Sequence, residues 1–439
     1  MDMSYLATSF YLLMAIATGL YLLLYLLYRR QIISFTDPLN YGVLLLAFYL
    51  AGALILPSMH TVNWSYVCVV ILTVVYVAAG VIFSRRSSPV KAPRLGVSRS
   101  HQLLFTTALT GLLILNLIIN QIFGVMPLLQ GTQARAEYGS VAWPALFLLS
   151  PDLAMVLFLV FLLTETRKVR VLAGIGVAIS VVSTILGGGK SSTFSILFLL
   201  MVADYVQNLK RNASHSLSEV LALTKKIRTL RVSGIVCAIA TIILLPAYLV
   251  LIGADLGGGS GSALEGFATR LFGGFDGLAI IAFQDIDLFS VQGVNISDFY
   301  FYPLIKKLSH TPDFQSSGQY LIYLLSGSYD FATSGMNPNS SFSIELLLSN
   351  GSLAVSIAII ALAAAAMFRL RATLLQRKSL RMLDLVLWAL VVLAPFSILL
   401  DGAFFVIRAY IFLGLYIALN LIVNAIGWLG PGRKTFRLL

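Results

Sequence analysis

Charged residues are the scarcest class in this 439-residue chain: Asp, Glu, Lys and Arg make up 11%, against 59% hydrophobic residues. A soluble domain of this length does not need so apolar a composition to bury its core, so a soluble globular fold is excluded. Cysteine is nearly absent. Cys68 and Cys237 both fall inside apolar runs, which argues against a disulfide framework and a thiolate metal centre and leaves them as packing residues. The four histidines, His60, His101, His215 and His310, are isolated and no two share a helical face, so no metal centre is expected. No internal repeat is present, unlike many transporters. Aromatic platforms do not interleave with the basic residues, so the net charge of +12 does not point to nucleic acid. No cleavable leader is expected either. The first apolar run starts at Tyr5 with no basic stretch before it and is followed by Arg29 and Arg30, which reads as a retained helix.

What the chain has is a succession of apolar runs near the length that spans a hydrocarbon core. They predict an all-α, polytopic integral membrane protein with about eleven spanning helices. The expected helices run over 5–28, 39–57, 65–84, 102–122, 145–164, 171–186, 191–207, 232–252, 345–368, 383–400 and 404–426. Three parts follow: transmembrane helices 1–8 over 1–252, one large outer loop over 253–344, and helices 9–11 with an inner tail over 345–439. With the amino terminus outside, most of the 30 Lys and Arg residues fall on inward segments, such as Arg29 and Arg30, Arg167 to Arg170, and Arg369 to Arg381. The alternation holds through every helix, as the positive-inside rule requires of a correct count.

Six basic residues break that rule: Arg135, Lys190, Arg270, Lys306, Lys307 and Arg408. Half of the 18 acids, from Asp255 to Glu345, lie between the eighth and ninth helices, so chemistry is expected on the outer side. The loop opens on a glycine run, Gly257 to Gly261, with little intrinsic order, and continues with amphipathic stretches over 263–275 and 277–290. The cluster Phe299, Tyr300, Phe301, Tyr302 fits either the headgroup interface or stacking on a sugar face. The polar run Ser334 to Ser341, with Asn337, leads into the ninth helix, where Asn339 or Ser340 is the expected cap and Glu345 lies in the first turns. Such a helix start can also receive a phosphate or a sugar hydroxyl. Asp401 and Arg408, seven residues apart, share one helical face. An ionisable group at membrane depth is a candidate functional residue unless it only pairs structurally. Gly187, Gly188, Gly189, Lys190 looks like a phosphate loop but fails its spacing at Thr184, although glycine amides and a lysine still suit an anion. Arg135, Lys190, Arg270 and Arg408 together suggest an anionic ligand arriving from the membrane, and a lipid pyrophosphate meets both conditions.

The arrangement resembles the Wzy family, polymerases that join lipid-linked oligosaccharide repeat units of O-antigen, enterobacterial common antigen and related polysaccharides. The points of likeness are the first helix ending at Arg29 and Arg30, the Gly187 to Lys190 turn, and the long outer loop with its Tyr300 to Pro303 cluster. To these are added Asn337 to Ser341, with Asn350 and Gly351 in the next helix, and the Asp401 to Arg408 helix. The family often has arginine where Lys190 stands. The resemblance implies a GT-C type glycosyltransferase of the bacterial inner membrane, with its active site facing the periplasm. It implies no cofactor, no metal and no nucleotide sugar, and as a partner a chain-length-regulating, Wzz-like co-polymerase.

On that reading a chain carried on undecaprenyl pyrophosphate is the donor, and a sugar hydroxyl of an incoming lipid-linked unit attacks its anomeric carbon. Cations stabilise charge developing on the departing pyrophosphate. Arg408, Arg270, Arg135 and Lys190 are the expected cations, and Asp276, Asp401, Glu345 and His310 the candidate bases. Tyr300, Tyr302, Asn337 and Ser341 are expected to contact glycan or pyrophosphate. The rivals are an O-antigen ligase, which depends on an outer-loop histidine such as His310, and a lipid-linked oligosaccharide flippase or transporter.

Overall fold

The computed structural model describes residues 10–34, 36–59, 61–83, 93–122, 144–186, 191–211, 276–290, 317–326, 341–400 and 402–429. The described chain is helical, apart from one pair of two-residue strands. In a bilayer every backbone N–H and C=O has to be satisfied internally, and runs that are apolar on all faces therefore fold as helices. In chain order these are α1 (Phe10–Tyr28), α2 (Pro38–Met59), α3 (Trp64–Phe83), α4 (Arg99–Ile122), α5 (Pro144–Leu163), α6 (Arg167–Leu186) and α7 (Ser191–Arg211). Each lies within a few residues of a predicted helix. Short helices α8 (Asp276–Phe283) and α9 (Ser317–Ser326) follow, and then α10 (Phe342–Asn350), α11 (Leu353–Gln376), α12 (Met382–Leu387), α13 (Ser397–Leu400) and α14 (Gly402–Leu429). Among the described residues, α1, α2, α3 and α11 are long and apolar enough to cross a membrane. The expected helix over 232–252 lies outside the described residues.

Two expected helices are broken. The run over 345–368 is not one helix: α10 ends at Asn350, Gly351 turns into the left-handed region at φ 59, and α11 begins after Ser352. Gly351 closes α10 by donating its N–H to the Leu347 carbonyl at 3.0 Å, a position where a side chain would be strained. The run over 383–400 is interrupted twice. After α12 the chain widens into a π-turn, Trp388–Val392, in which Leu393 N–H reaches back to the Trp388 carbonyl at 3.0 Å. Pro395, lacking an N–H, then prevents the helix from continuing before α13. The Tyr76 hydroxyl donates to the Pro395 carbonyl at 2.9 Å. Similar compensation operates in α2. Pro57 leaves the Ala53 carbonyl without its helical donor, and the Tyr66 hydroxyl supplies one.

α2, α3 and α11 surround a core of four rings. Tyr28 stacks on Phe368 at 5.6 Å between ring centroids, and Phe396 meets Tyr28, Phe368 and Tyr76 at 5.7, 5.7 and 6.1 Å. Gly80 makes this approach possible, because a side-chain carbon there would lie 2.6 Å from the Tyr28 hydroxyl and 2.7 Å from Phe368. At one end of these helices Arg371 on α11 pairs with Asp37, just before α2, at 2.8 Å, with side chains 4% and 0% exposed. Asp37 also accepts from the Ile33 and Leu39 N–H groups, both at 2.9 Å. Arg371, read from sequence as an ordinary inward-loop charge, is thus a buried structural residue. The same end gathers other basic residues: Arg369 lies over the Phe83 ring at 5.4 Å, Arg170 donates to the Thr164 carbonyl, and Lys210 donates to the Leu162 carbonyl. Burial, with Arg170 nearby, lowers the Lys210 ammonium from its ordinary pKa. Strands β1 (Arg94–Leu95) and β2 (Ser379–Leu380) pair in parallel, so the basic segments preceding α4 and α12 lie side by side.

The predicted outer loop contributes a buried piece. The stretch 277–290, expected to be amphipathic, is helical only to Phe283, and Leu278, Ala279, Ile280, Ile281 and Ala282 are all buried, so it packs on every face. Asp285, at φ 49, ends α8, while Ile286 N–H bonds back to the Ile281 carbonyl. The chain is then fastened to the start of α3. Asn63 donates to the Ile286 carbonyl at 2.9 Å, Ser65 donates to Asp287 at 3.2 Å, and Leu288 N–H donates to Ser65 at 2.9 Å.

Candidate functional site

A second buried polar place among the described residues lies where α10 meets the start of α14. Phe342 to Leu348 are all buried, although α10 carries Ser343 and Glu345. The helix forms because Ser341, extended at φ −75 and ψ 156, offers its carbonyl to the N–H groups of Ile344 and Glu345 at 2.9 and 3.2 Å. The expected cap at Asn339 or Ser340 is therefore displaced to Ser341. Its hydroxyl makes no capping bond and instead accepts from the Tyr49 hydroxyl at 3.5 Å. Tyr49 stands midway along α2. Ser341, Glu345 and Ser349 recur at i, i+4 and i+8, so they form one polar stripe on an otherwise apolar helix.

Glu345 is fully buried. Its carboxylate lies against Gly402, the first residue of α14: a side-chain carbon on Gly402 would fall 2.6 Å from Glu345 Oε2 and 2.5 Å from Phe342 Cδ2. Glu345 is also in the first turn of α10. The carboxylate thus sits near two helix amino termini, whose partial positive charges each stabilise an anion by about 0.3–2 kcal/mol. Arg408 lies on α14 six residues beyond Gly402, about 9 Å along the axis, half-buried. On α10 itself Ser343 Oγ and Asn350 Nδ2, and on α11 Ser356 Oγ, are buried with no hydrogen-bond partner among the described residues. Such groups are costly in an apolar interior.

Three of the sequence-predicted site residues, Glu345, Ser341 and Arg408, are described with their side chains, and all three belong to the α10–α14 region. Asp276 is placed as the first residue of α8. Arg135, Lys190, Arg270, His310, Tyr300, Tyr302, Asn337 and Asp401 lie outside the described residues. Sequence reasoning missed Tyr49 and Gly402. Tyr49 carried no signal inside an apolar run, whereas Gly402, following Asp401 at the end of such a run, was a visible mark of close approach. Among the described residues, no cluster of three or more His, Cys, Asp or Glu could hold a metal ion. No family model matches the chain, and no curated protein or solved structure matches it.

Proposed function

We propose that this chain is an integral-membrane glycosyltransferase of the GT-C type, with about eleven spans, that polymerises undecaprenyl-pyrophosphate-linked oligosaccharide repeat units without a metal. The reading places it in the bacterial inner membrane, with the loop over 253–344 and the active site toward the periplasm. The observation that carries the proposal is the α10–α14 junction, where the Glu345 carboxylate abuts Gly402 and Arg408 follows on the same helix. In the proposed reaction an acceptor hydroxyl attacks the anomeric carbon of the donor glycan, and the bond to the lipid pyrophosphate breaks. Arg408, with Arg135, Lys190 and Arg270, stabilises charge on the leaving group, where a guanidinium fork fits phosphate oxygens. Asp276, Asp401, Glu345 or His310 takes the acceptor proton. Glu345 is closed to solvent, so serving as base requires α10 and α14 to part; as it stands, it lies against the start of the helix that carries Arg408. The pyrophosphate-linked glycan, the bilayer and a Wzz-like co-polymerase are the proposed partners.

A second reading has its own support: the interruptions at Gly351 and Pro395 lie in helices that pack on each other, and broken helices around buried polar groups also build transporter sites. Deleting the gene for this chain in its own cell separates these readings. A polymerase predicts surface glycan reduced to single repeat units. A ligase predicts finished polymer retained on its lipid carrier, and a flippase predicts repeat units accumulating on the inner leaflet; either result overturns the proposal.

A further inference from the structure

The pairing of β1 with β2 brings together two basic segments far apart in sequence. Arg94 is opposite Ser379 and Leu95 opposite Leu380, held by Arg94 N–H to the Lys378 carbonyl and Gly96 N–H to the Leu380 carbonyl, both 3.0 Å. Leu380 is fully buried and anchors one face of this ladder. Because strand side chains alternate, Arg94, Ser379 and Arg381 stand on the opposite face, and both arginines are exposed. Gly96 lets the strands approach: a side-chain carbon there would meet Ser379 Cβ at 2.9 Å. The ladder is buttressed by Asp384, which pairs with Arg377 and accepts the Arg381 N–H at 2.8 Å. Arg94 and Arg381 are thereby held on a fixed shelf.

An apolar surface adjoins the shelf. Exposed Arg99, in the first turn of α4, shares a helical face with Leu103, which is 39% exposed, and further along with Ile114, also 39% exposed. A ligand matching this surface has an anionic head for the arginines and an apolar tail for α4. Soluble phosphates match only the first half.

We propose that the β1–β2 shelf binds the headgroup of an anionic phospholipid, with its acyl chain along the exposed face of α4. This is independent of the polymerase reading. Basic residues beside a membrane surface contribute about 1 kcal/mol each to anionic-lipid binding, about fivefold in affinity. The test titrates the purified full chain in neutral detergent with fluorescent phosphatidylglycerol and, separately, fluorescent phosphatidylcholine. Phosphatidylglycerol is expected to bind more tightly, and the double variant Arg94→Gln/Arg381→Gln to weaken it about 25-fold. Arg167→Gln/Lys168→Gln, changing exposed residues at the start of α6, is expected to leave binding unchanged. Equal binding of the two lipids, equal loss in both double variants, or displacement of phosphatidylglycerol by millimolar inorganic phosphate would overturn the proposal.

Discussion

Replacing Asp37 with asparagine keeps the shape of the side chain but removes the charge facing Arg371, and it leaves one acceptor oxygen where Asp37 uses two, Oδ2 for the Ile33 N–H and Oδ1 for the Leu39 N–H and Arg371. The two side chains are 0% and 4% exposed and 2.8 Å apart, so water cannot substitute for the lost partner. Leaving one member of a buried pair uncompensated costs about 3–5 kcal/mol. Arg371 Nε, already without a hydrogen-bond partner among the described residues, adds to the burden of an unpaired guanidinium. Arg371→Met leaves Asp37 two backbone donors, so its cost should be smaller, about 1.5–3 kcal/mol. The double variant buries neither charge and should recover part of the loss, with one of the two backbone N–H groups still lacking its acceptor. Unfolding of the purified variants in mixed micelles gives the three free energies, and the double-mutant cycle should return a coupling of at least about 2 kcal/mol. Single variants costing under about 1 kcal/mol, or strictly additive effects, would refute the assignment of this pair as the clamp between α2 and α11.

Other consequences follow from the packing and the site. Gly402→Ala drives a methyl group into Phe342 and Glu345 and should cost about 1–3 kcal/mol in the same unfolding assay, together with, on the proposed polymerase reading, a fall in polymer yield. Gly80→Ala should cost a similar amount through its clash with the Tyr28 hydroxyl and Phe368; Tyr28→Phe should relieve part of it, although alone it loses a bond to the Val77 carbonyl worth about 1 kcal/mol. Asn63→Ala removes both the acceptor for Tyr66 N–H and the donor to Ile286, so limited proteolysis should cut the segment over 276–290 faster than in the parent. On the proposed polymerase reading, Arg408→Ala should abolish polymer while the protein remains folded in membranes; normal chain lengths from a stable Arg408→Ala variant would remove Arg408 from the proposed mechanism.

The helices were legible because lipid leaves an apolar run little alternative, and the starts of α2, α3 and α5 lie within a residue of the sequence reading. The breaks were less legible. Ser349, Asn350, Gly351 and Ser352 are helix-stop and helix-start residues in series, yet the apolar residues on either side sustain a single run. The π-turn at Trp388–Val392 has no compositional mark. Long-range partners were not visible at all. Asp37 meets Arg371 across 334 residues, and nothing local to Glu345 announces Gly402. The stretch 277–290 misled because its polar residues, Gln284, Asp285 and Asp287, lie beyond the end of the helix instead of along one side of it.

The most direct test of the central claim is incubation of the purified protein with lipid-linked repeat units, without nucleotide sugars or metal, followed by separation of the products on a gel. The account predicts a ladder of chain lengths; no product until lipid A core is added, and then a single transfer, or inertness in both conditions, would contradict it.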